Sequence, residues 1–234
     1  MNRLLTIVLT AFVLGLPQIS AADDEGPGVP IVKAPYHLPV FKNEYVTLLN
    51  VYVPPGRTTG YHIHTGDSVS VNIEEADMTN QDLGSNAAGA PQRGQRGRAS
   101  YADYRKQPHT HKATNVGQTA FHNISFIFNS PQPWHFTPGT RAAGSGYSQI
   151  MDNERVRGWR LILEPGQTAA AITQQAPGIR IVVSGGEIVE SVPGQPDRAM
   201  NPGSGWFFWQ DAPATRTVRN IGAIRVELVE FELK

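Results

Sequence analysis

Two short stretches carry the residues best suited to chemistry: His62-Ile63-His64 and His109-Thr110-His111. In a β-strand, side chains at i and i+2 point to the same face, so each pair aims two imidazoles into one space. Nitrogen donors converging from a rigid element are what a first-row transition metal requires. If the two strands are neighbours, their rings share one ion. Asp67 follows the first pair by three residues and offers the nearest carboxylate. His37 and His135 lie in Pro-flanked segments and read as surface residues. His122 shares a parity with Ile124, Phe126 and Phe128, which would turn it toward a pocket, but it is not counted as a ligand.

Composition narrows what can hold such an ion. Cysteine is absent, which removes thiolate sites, disulfides and a Cys nucleophile together. Lys+Arg and Asp+Glu each number 20 among 234 residues, a balance that gives no support to nucleic acid as a partner. The apolar fraction of 40% suffices for a core, and 23 Gly with 18 Pro suit many short strands joined by turns. Residues 1–22 read as a secretory signal peptide. Arg3 supplies a positive charge, Leu4 to Leu16 is an almost unbroken apolar run, and Ser20-Ala21-Ala22 offers small residues for cleavage. The run is short of the roughly 20 apolar residues that span a bilayer. The expectation is a periplasmic or secreted protein with no integral membrane segment after cleavage.

The elements that must position the histidines read as strands. Tyr45 to Val53 is strand-like and ends at Pro54-Pro55-Gly56. Val69, Val71 and Ile73 continue the first His strand with period two, and Phe121 to Phe128 forms another. The lead from Asp23 to Pro39 shows no periodicity. Residues 77–100 read as a long loop carrying Arg93, Arg96 and Arg98, either a solvated insertion or a lid whose guanidinium groups grip an anion. No segment after Ala22 offers a long amphipathic helix. Tyr61, Tyr101 and Tyr104 are candidates for a pocket mouth.

The second half repeats the first. Leu161 to Gly166 answers Val51 to Gly56, Asn220-Ile221-Gly222 answers Asn115-Val116-Gly117, and Val226 to Leu233 parallels Phe121 to Phe128. Trp206 and Trp209 answer Tyr101 and Tyr104. Two copies of one all-β unit are the simplest architecture. The copies differ where chemistry is concerned: Ile172 and Gln174 stand for His62 and His64, and Ala214 and Arg216 for His109 and His111. That set cannot hold a divalent cation. Asn115 and Gly117 read as turn residues with left-handed backbone. The aromatic run Trp206–Trp209 suits packing between the copies, and also a subunit contact in a homodimer.

With these residues in view, the chain resembles the cupin superfamily, as a bicupin. Gly56, five residues, then His62-Ile63-His64 matches the first cupin motif; Pro108 through His111, three residues, then Asn115 matches the second. The resemblance implies two tandem conical barrels, at 40–130 and 150–234, with His62, His64 and His111 as ligands in the first. The family's Glu, which follows the second His after three or four intervening residues, is replaced here by Ser68 and Val69. Asp67 ligates after a register adjustment, or the site is three-His as in thiol and diketone dioxygenases of the superfamily, or His109 contributes. One divalent transition metal is implied, with Fe, Mn, Ni, Cu and Zn all compatible. Two functions follow: a metal-dependent enzyme, dioxygenase-like or isomerase-like, acting on a small organic substrate with Tyr61, Tyr101 and Arg96 near it; or a non-catalytic small-molecule-binding or structural cupin of the cell envelope. Asp67, when not a ligand, is the nearest general base.

Overall fold

The computed structural model describes residues 26–211 and 213–234, so the N-terminal apolar run lies outside it. Those residues form strands, turns and one short 3-10 helix, Ile31–Lys33. Among them no helix is long and apolar enough to cross a membrane.

The strands assemble into four sheets, two in each half. In the N-terminal half, one sheet runs Val29–Pro30, His62–His64, His109–Asn115, Asp77–Asp82, Gln92–Arg93. Facing it is a sheet in the order His37–Lys42, Val46–Val53, Phe121–Phe128, Ser68–Asn72, Ala99–Ala102. The C-terminal half repeats this with Tyr147–Asp152, Val156–Leu163, Val226–Leu233, Gly178–Ser184, Phe207–Gln210 opposite Ile172–Gln174, Ala214–Asn220, Ile188–Ser191, Arg198–Met200. The repeat is therefore one of register as well as residue. His62 pairs with His111 and His64 with His109, as Ile172 pairs with Arg216 and Gln174 with Ala214.

Both copies close their last hairpin in the same way. Asn115 Nδ2 donates to the carbonyls of Val53 and Thr119, each at 2.8 Å, and its Oδ1 accepts from Gly117 N. Asn220 does the same with Leu163 and Ile224 at 2.9 and 2.7 Å, and with Gly222 N. The asparagines work through their amides, since neither carries the left-handed backbone expected. Gly117 lacks it too; a Cβ there would press on Asp77 N at 3.0 Å. Left-handed backbone is found instead in the preceding Pro-Gly turns, at Gly56 and Gly166, with φ of 72° and 79°.

The large sheets of the two halves pack back to back. Val46, Leu48, Val69, Val71, Ile124, Phe126 and Phe128 meet Ile179, Ile181, Val229 and Phe231 in one shared core, with the Phe126 and Phe231 rings 5.4 Å apart. From the aromatic run, Phe207 and Trp209 pack against Phe41, and Trp209 stacks on Tyr45, so the run does join the copies. Phe208 turns instead into the C-terminal interior, and Trp206 is exposed. The opposite face of the same N-terminal sheet bears Val51, Val53, Phe121, Asn123 and Ser125 and looks into that half's own interior. A strand buried on both faces reads as a near-continuous apolar run, which explains Tyr45 to Val53.

Two expectations give way here. Residues 77–100 are not a featureless loop, because Asp77–Asp82 and Gln92–Arg93 pair as a hairpin. The lead segment is likewise ordered: Val29–Pro30 adds in parallel to His62–His64, and His37–Lys42 adds to Val46–Val53.

Candidate metal centre

The two His strands are neighbours, and three rings converge. His62, His64 and His111 each offer a ligand atom, all within 4.8 Å of one another. His64 Nε2 and His111 Nε2 lie 3.1 Å apart. Two nitrogens at the usual 2.0–2.1 Å from one ion sit roughly 2.9–3.4 Å apart in octahedral or tetrahedral geometry, so this spacing fits a shared cation. His62 Nδ1 lies 3.1 Å from Gly60 O and 3.3 Å from Thr59 Oγ1. Donation from Nδ1–H to the carbonyl fixes the tautomer and leaves Nε2 with its lone pair free, the usual orientation of a metal-ligating imidazole.

Electrostatics favour the same use. Burial, reinforced by the neighbouring rings, pushes His62 down to about 4, His64 to about 2 and His111 to about 3. All three are neutral at physiological pH and present lone pairs rather than charges. The donor set is nitrogen only, which suits a borderline transition metal over calcium or magnesium.

These histidines open on a cavity of about 210 Å³ between the two N-terminal sheets. Its walls include Ile31, Val51, Val53, Met78 and Phe121. Three of its polar groups form a chain that runs out of the lining to Asn72: Ser70 Oγ lies 2.9 Å from Ser125 Oγ, which donates to Asn123 Oδ1 at 2.6 Å, and Asn123 Nδ2 donates to Asn72 Oδ1. No Lys, Arg, Asp or Glu lines it among the described residues.

The remaining expected residues fall elsewhere. Asp67 is buried, but its Oδ1 accepts from Arg105 N at 2.9 Å and its charge acts on Tyr101 and Arg155. It belongs neither to the converging group nor to the cavity wall. His109 has its ring 4.7 Å from that of His111 and its Nε2 3.4 Å from Asp82, and lies outside the converging three and outside the cavity lining. Of the tyrosines, only Tyr104 lines the cavity, 4.4 Å from the His64 ring. Tyr61 packs under Lys112. Tyr101 adjoins the shared core with its hydroxyl buried and unpartnered, and burial together with the Asp67 charge pushes it up to about 12. Arg96 pairs with Glu74, and Arg93 with Glu75 and Asp77, so the arginines are held outside the cavity by acidic neighbours.

One residue was misread entirely. His37 is buried and lines the cavity, its ring 4.7 Å from that of His62 and its Nδ1 2.9 Å from Pro35 O. Flanking prolines hid a strand that begins at His37 itself, directly after Tyr36 with φ 65°. His122 faces away from the cavity: it lies 3.0 Å from Asn50 Oδ1 and abuts Gly205 of the other half. His135 is exposed, as expected.

No protein-family model matches the chain, and no curated protein does. Among solved structures, AerE from Microcystis aeruginosa superposes with a TM-score of 0.52 over 86% of this chain and 98% of that one, at 10% identity. Salicylate 1,2-dioxygenase from Pseudaminobacter salicylatoxidans gives 0.54 over 81% and 71%, at 13% identity. A mutant of the latter enzyme in complex with gentisate gives 0.55 over 86% and 73%, also at 13%. In architecture and in the repeat of its sheets, the chain shares the all-β fold of these solved structures.

Proposed function

We propose that the protein is an exported, metal-dependent cupin enzyme that acts on a small organic substrate in the N-terminal cavity, with dioxygen as co-substrate. The observation that carries this reading is the convergence of three neutral imidazoles on an apolar-walled cavity. Neutral nitrogen ligands without a carboxylate leave a divalent cation its full charge. His62, His64 and His111 would hold such an ion, which would supply Lewis acidity and redox chemistry at the cavity. The chain's own residues do the rest. Ile31, Val51, Val53 and Phe121 exclude water and pack the substrate body. Asn123 and the Ser70–Ser125 pair orient its polar atoms. Tyr104 and His37 are the titratable groups of the wall outside the converging three, and so the candidates to hold or pass a proton. Asp67 is not, because its carboxylate is turned away.

The gentisate complex of the structural neighbour supports small aromatic hydroxy acids as the first substrates to try, alongside diketones, flavonols and thiols. Export rests on the signal-like sequence of residues 1–22 alone, from Arg3 through the apolar run Leu4 to Leu16 to Ser20-Ala21-Ala22. The test is metal-free protein titrated with Fe(II), Mn(II), Ni(II), Cu(II) and Zn(II), then oxygen uptake over that panel. One ion per chain, lost in His64→Ala, with substrate-dependent oxygen consumption is the expected result. Failure of every ion to bind stoichiometrically would refute the metal centre. The lack of any carboxylate in the cavity favours a second reading, a binding protein without turnover: metal and ligand bound tightly, ligand recovered unchanged.

A further inference from the structure

The converging histidines and the chain of hydroxyls and amides in the N-terminal cavity stand on opposite sheets. His62, His64 and His111 belong to one, and Thr59, Asn80 and Tyr104 line the cavity on their side. Ser70, Asn123 and Ser125 belong to the sheet that faces it, where Ser70 pairs in register with Ser125. Alternation fixes their direction. Val69, Val71, Ile124 and Phe126 enter the core shared with the C-terminal half, so residues 70, 123 and 125 point into the cavity that they line. Ser70 is half-buried, and with the other face of its sheet packed, the exposure it keeps is toward that cavity.

Counting protons gives this wall a polarity. A hydroxyl has one proton to donate. Ser125 spends its own on Asn123 Oδ1 at 2.6 Å, so the 2.9 Å contact between the two serines is donated by Ser70. Asn123, 4% exposed, is engaged at both ends of its amide, since it accepts from Ser125 and donates to Asn72 Oδ1 at 2.9 Å. Ser70 Oγ has therefore given its proton away, and no donor among the described residues reaches it. His37, on the edge strand of the same sheet, has the same polarity: its Nδ1 donates to Pro35 O at 2.9 Å, which leaves the lone pair on Nε2.

The wall facing the histidines thus offers acceptors, and no Lys, Arg, Asp or Glu lines the cavity among the described residues. A carboxylate set against it meets lone pairs without a counter-charge, and an ammonium is buried without a partner; both are costly. An uncharged hydroxyl supplies the missing donor. Stacked sheets lie roughly 10 Å apart, a gap that one ring with groups at opposite ends bridges.

We propose that the cavity selects substrates with an uncharged hydroxyl at the end remote from their metal-binding group, and that Ser70 Oγ, made an acceptor by Ser125, reads that hydroxyl. The inference rests on the metal centre proposed above and names the class of substrate for it.

Calorimetric titration of the Zn(II)-loaded chain with three para-substituted benzoates tests it. They are 4-hydroxybenzoate; 4-fluorobenzoate, which has nearly the same shape and cannot donate; and terephthalate, which is charged at both ends. Expected are one 4-hydroxybenzoate per chain, about tenfold weaker 4-fluorobenzoate, the worth of one hydrogen bond, and terephthalate weaker still. Ser70→Ala should bring 4-hydroxybenzoate down to the level of 4-fluorobenzoate and leave one Zn(II) per chain. Ser125→Ala releases the Ser70 proton, and should strengthen terephthalate about tenfold relative to 4-fluorobenzoate; it decides where Ser70→Ala fails to fold. With one Zn(II) bound, no binding of 4-hydroxybenzoate, equal binding of 4-fluorobenzoate, or a preference that survives in the folded serine variants overturns this inference and leaves the metal centre standing. Failure to bind Zn(II) stoichiometrically overturns both.

Discussion

At the scale of single residues, burial keeps the converging histidines uncharged, and that gives the metal-free protein a definite response to acid. Their unfolded value is near 6.5, whereas folding lowers His62 to about 4, His111 to about 3 and His64 to about 2. Between these limits the unfolded chain binds protons that the folded chain does not, so stability falls as pH falls. The contribution is fully present above about pH 6.5 and is lost progressively below it. The urea midpoint of metal-free protein should therefore drop between pH 7 and pH 5, and drop less in His64→Gln. An identical slope in both would show that the ring is not buried neutral. His37 calls for a different experiment. Since it stands in the wall and is not among the converging three, His37→Phe should leave metal stoichiometry intact while lowering turnover by about a hundredfold, the lower range of a lost acid–base group. The convergence of His62, His64 and His111 was legible because i, i+2 spacing on strands fixes a face without knowledge of the rest of the fold. His37 was not, because its position depends on a tertiary pairing opposite Val51 that no local pattern encodes. Asp67 misled for the converse reason. It is near the histidines in sequence, but residues 65–67 leave the His62–His64 strand before the chain enters Ser68–Asn72 in the other sheet.

At the scale of elements, the two asparagine clamps are the clearest product of duplication. Asn115→Ala leaves two carbonyls, those of Val53 and Thr119, without their donor. A loss of about 2 kcal/mol or more in chemical denaturation is expected, with a like loss for Asn220→Ala, while Asn115→Asp recovers little because it lacks the NH₂ donors. The repeat that predicts this was visible in the bare sequence as Asn-x-Gly after matching strands. Orientation was harder. Phe121 to Phe128 alternates plainly, yet even positions were read as pocket-facing when the cavity takes odd ones, Phe121, Asn123 and Ser125. Period two says that a strand has two faces; it does not say which interior each face meets when both are buried. Nor could composition reveal that Arg93 and Arg96 are held by Glu74, Glu75 and Asp77, since the hairpin that brings them together sits inside a polar, Gly-rich stretch.

For the whole molecule, the shared core makes the halves mutually dependent. Phe126 and Phe231 touch across it and are almost wholly buried, so truncating either to Ala should cost about 3–5 kcal/mol. Because the contact belongs to both halves, each should lose stability together: near-ultraviolet and far-ultraviolet circular dichroism should trace one coincident transition in the wild-type chain and in Phe126→Ala alike. Separate transitions would mean that the halves fold independently despite the interface.

The sheet between the two interiors divides its labour by parity. Positions 46, 48, 124, 126 and 128 hold the barrels together, while 51, 53, 121, 123 and 125 shape the cavity. The shape of the cavity can thus be rewritten, by mutation in nature or at the bench, along one set of alternate positions without loosening the seam that keeps the molecule in one piece.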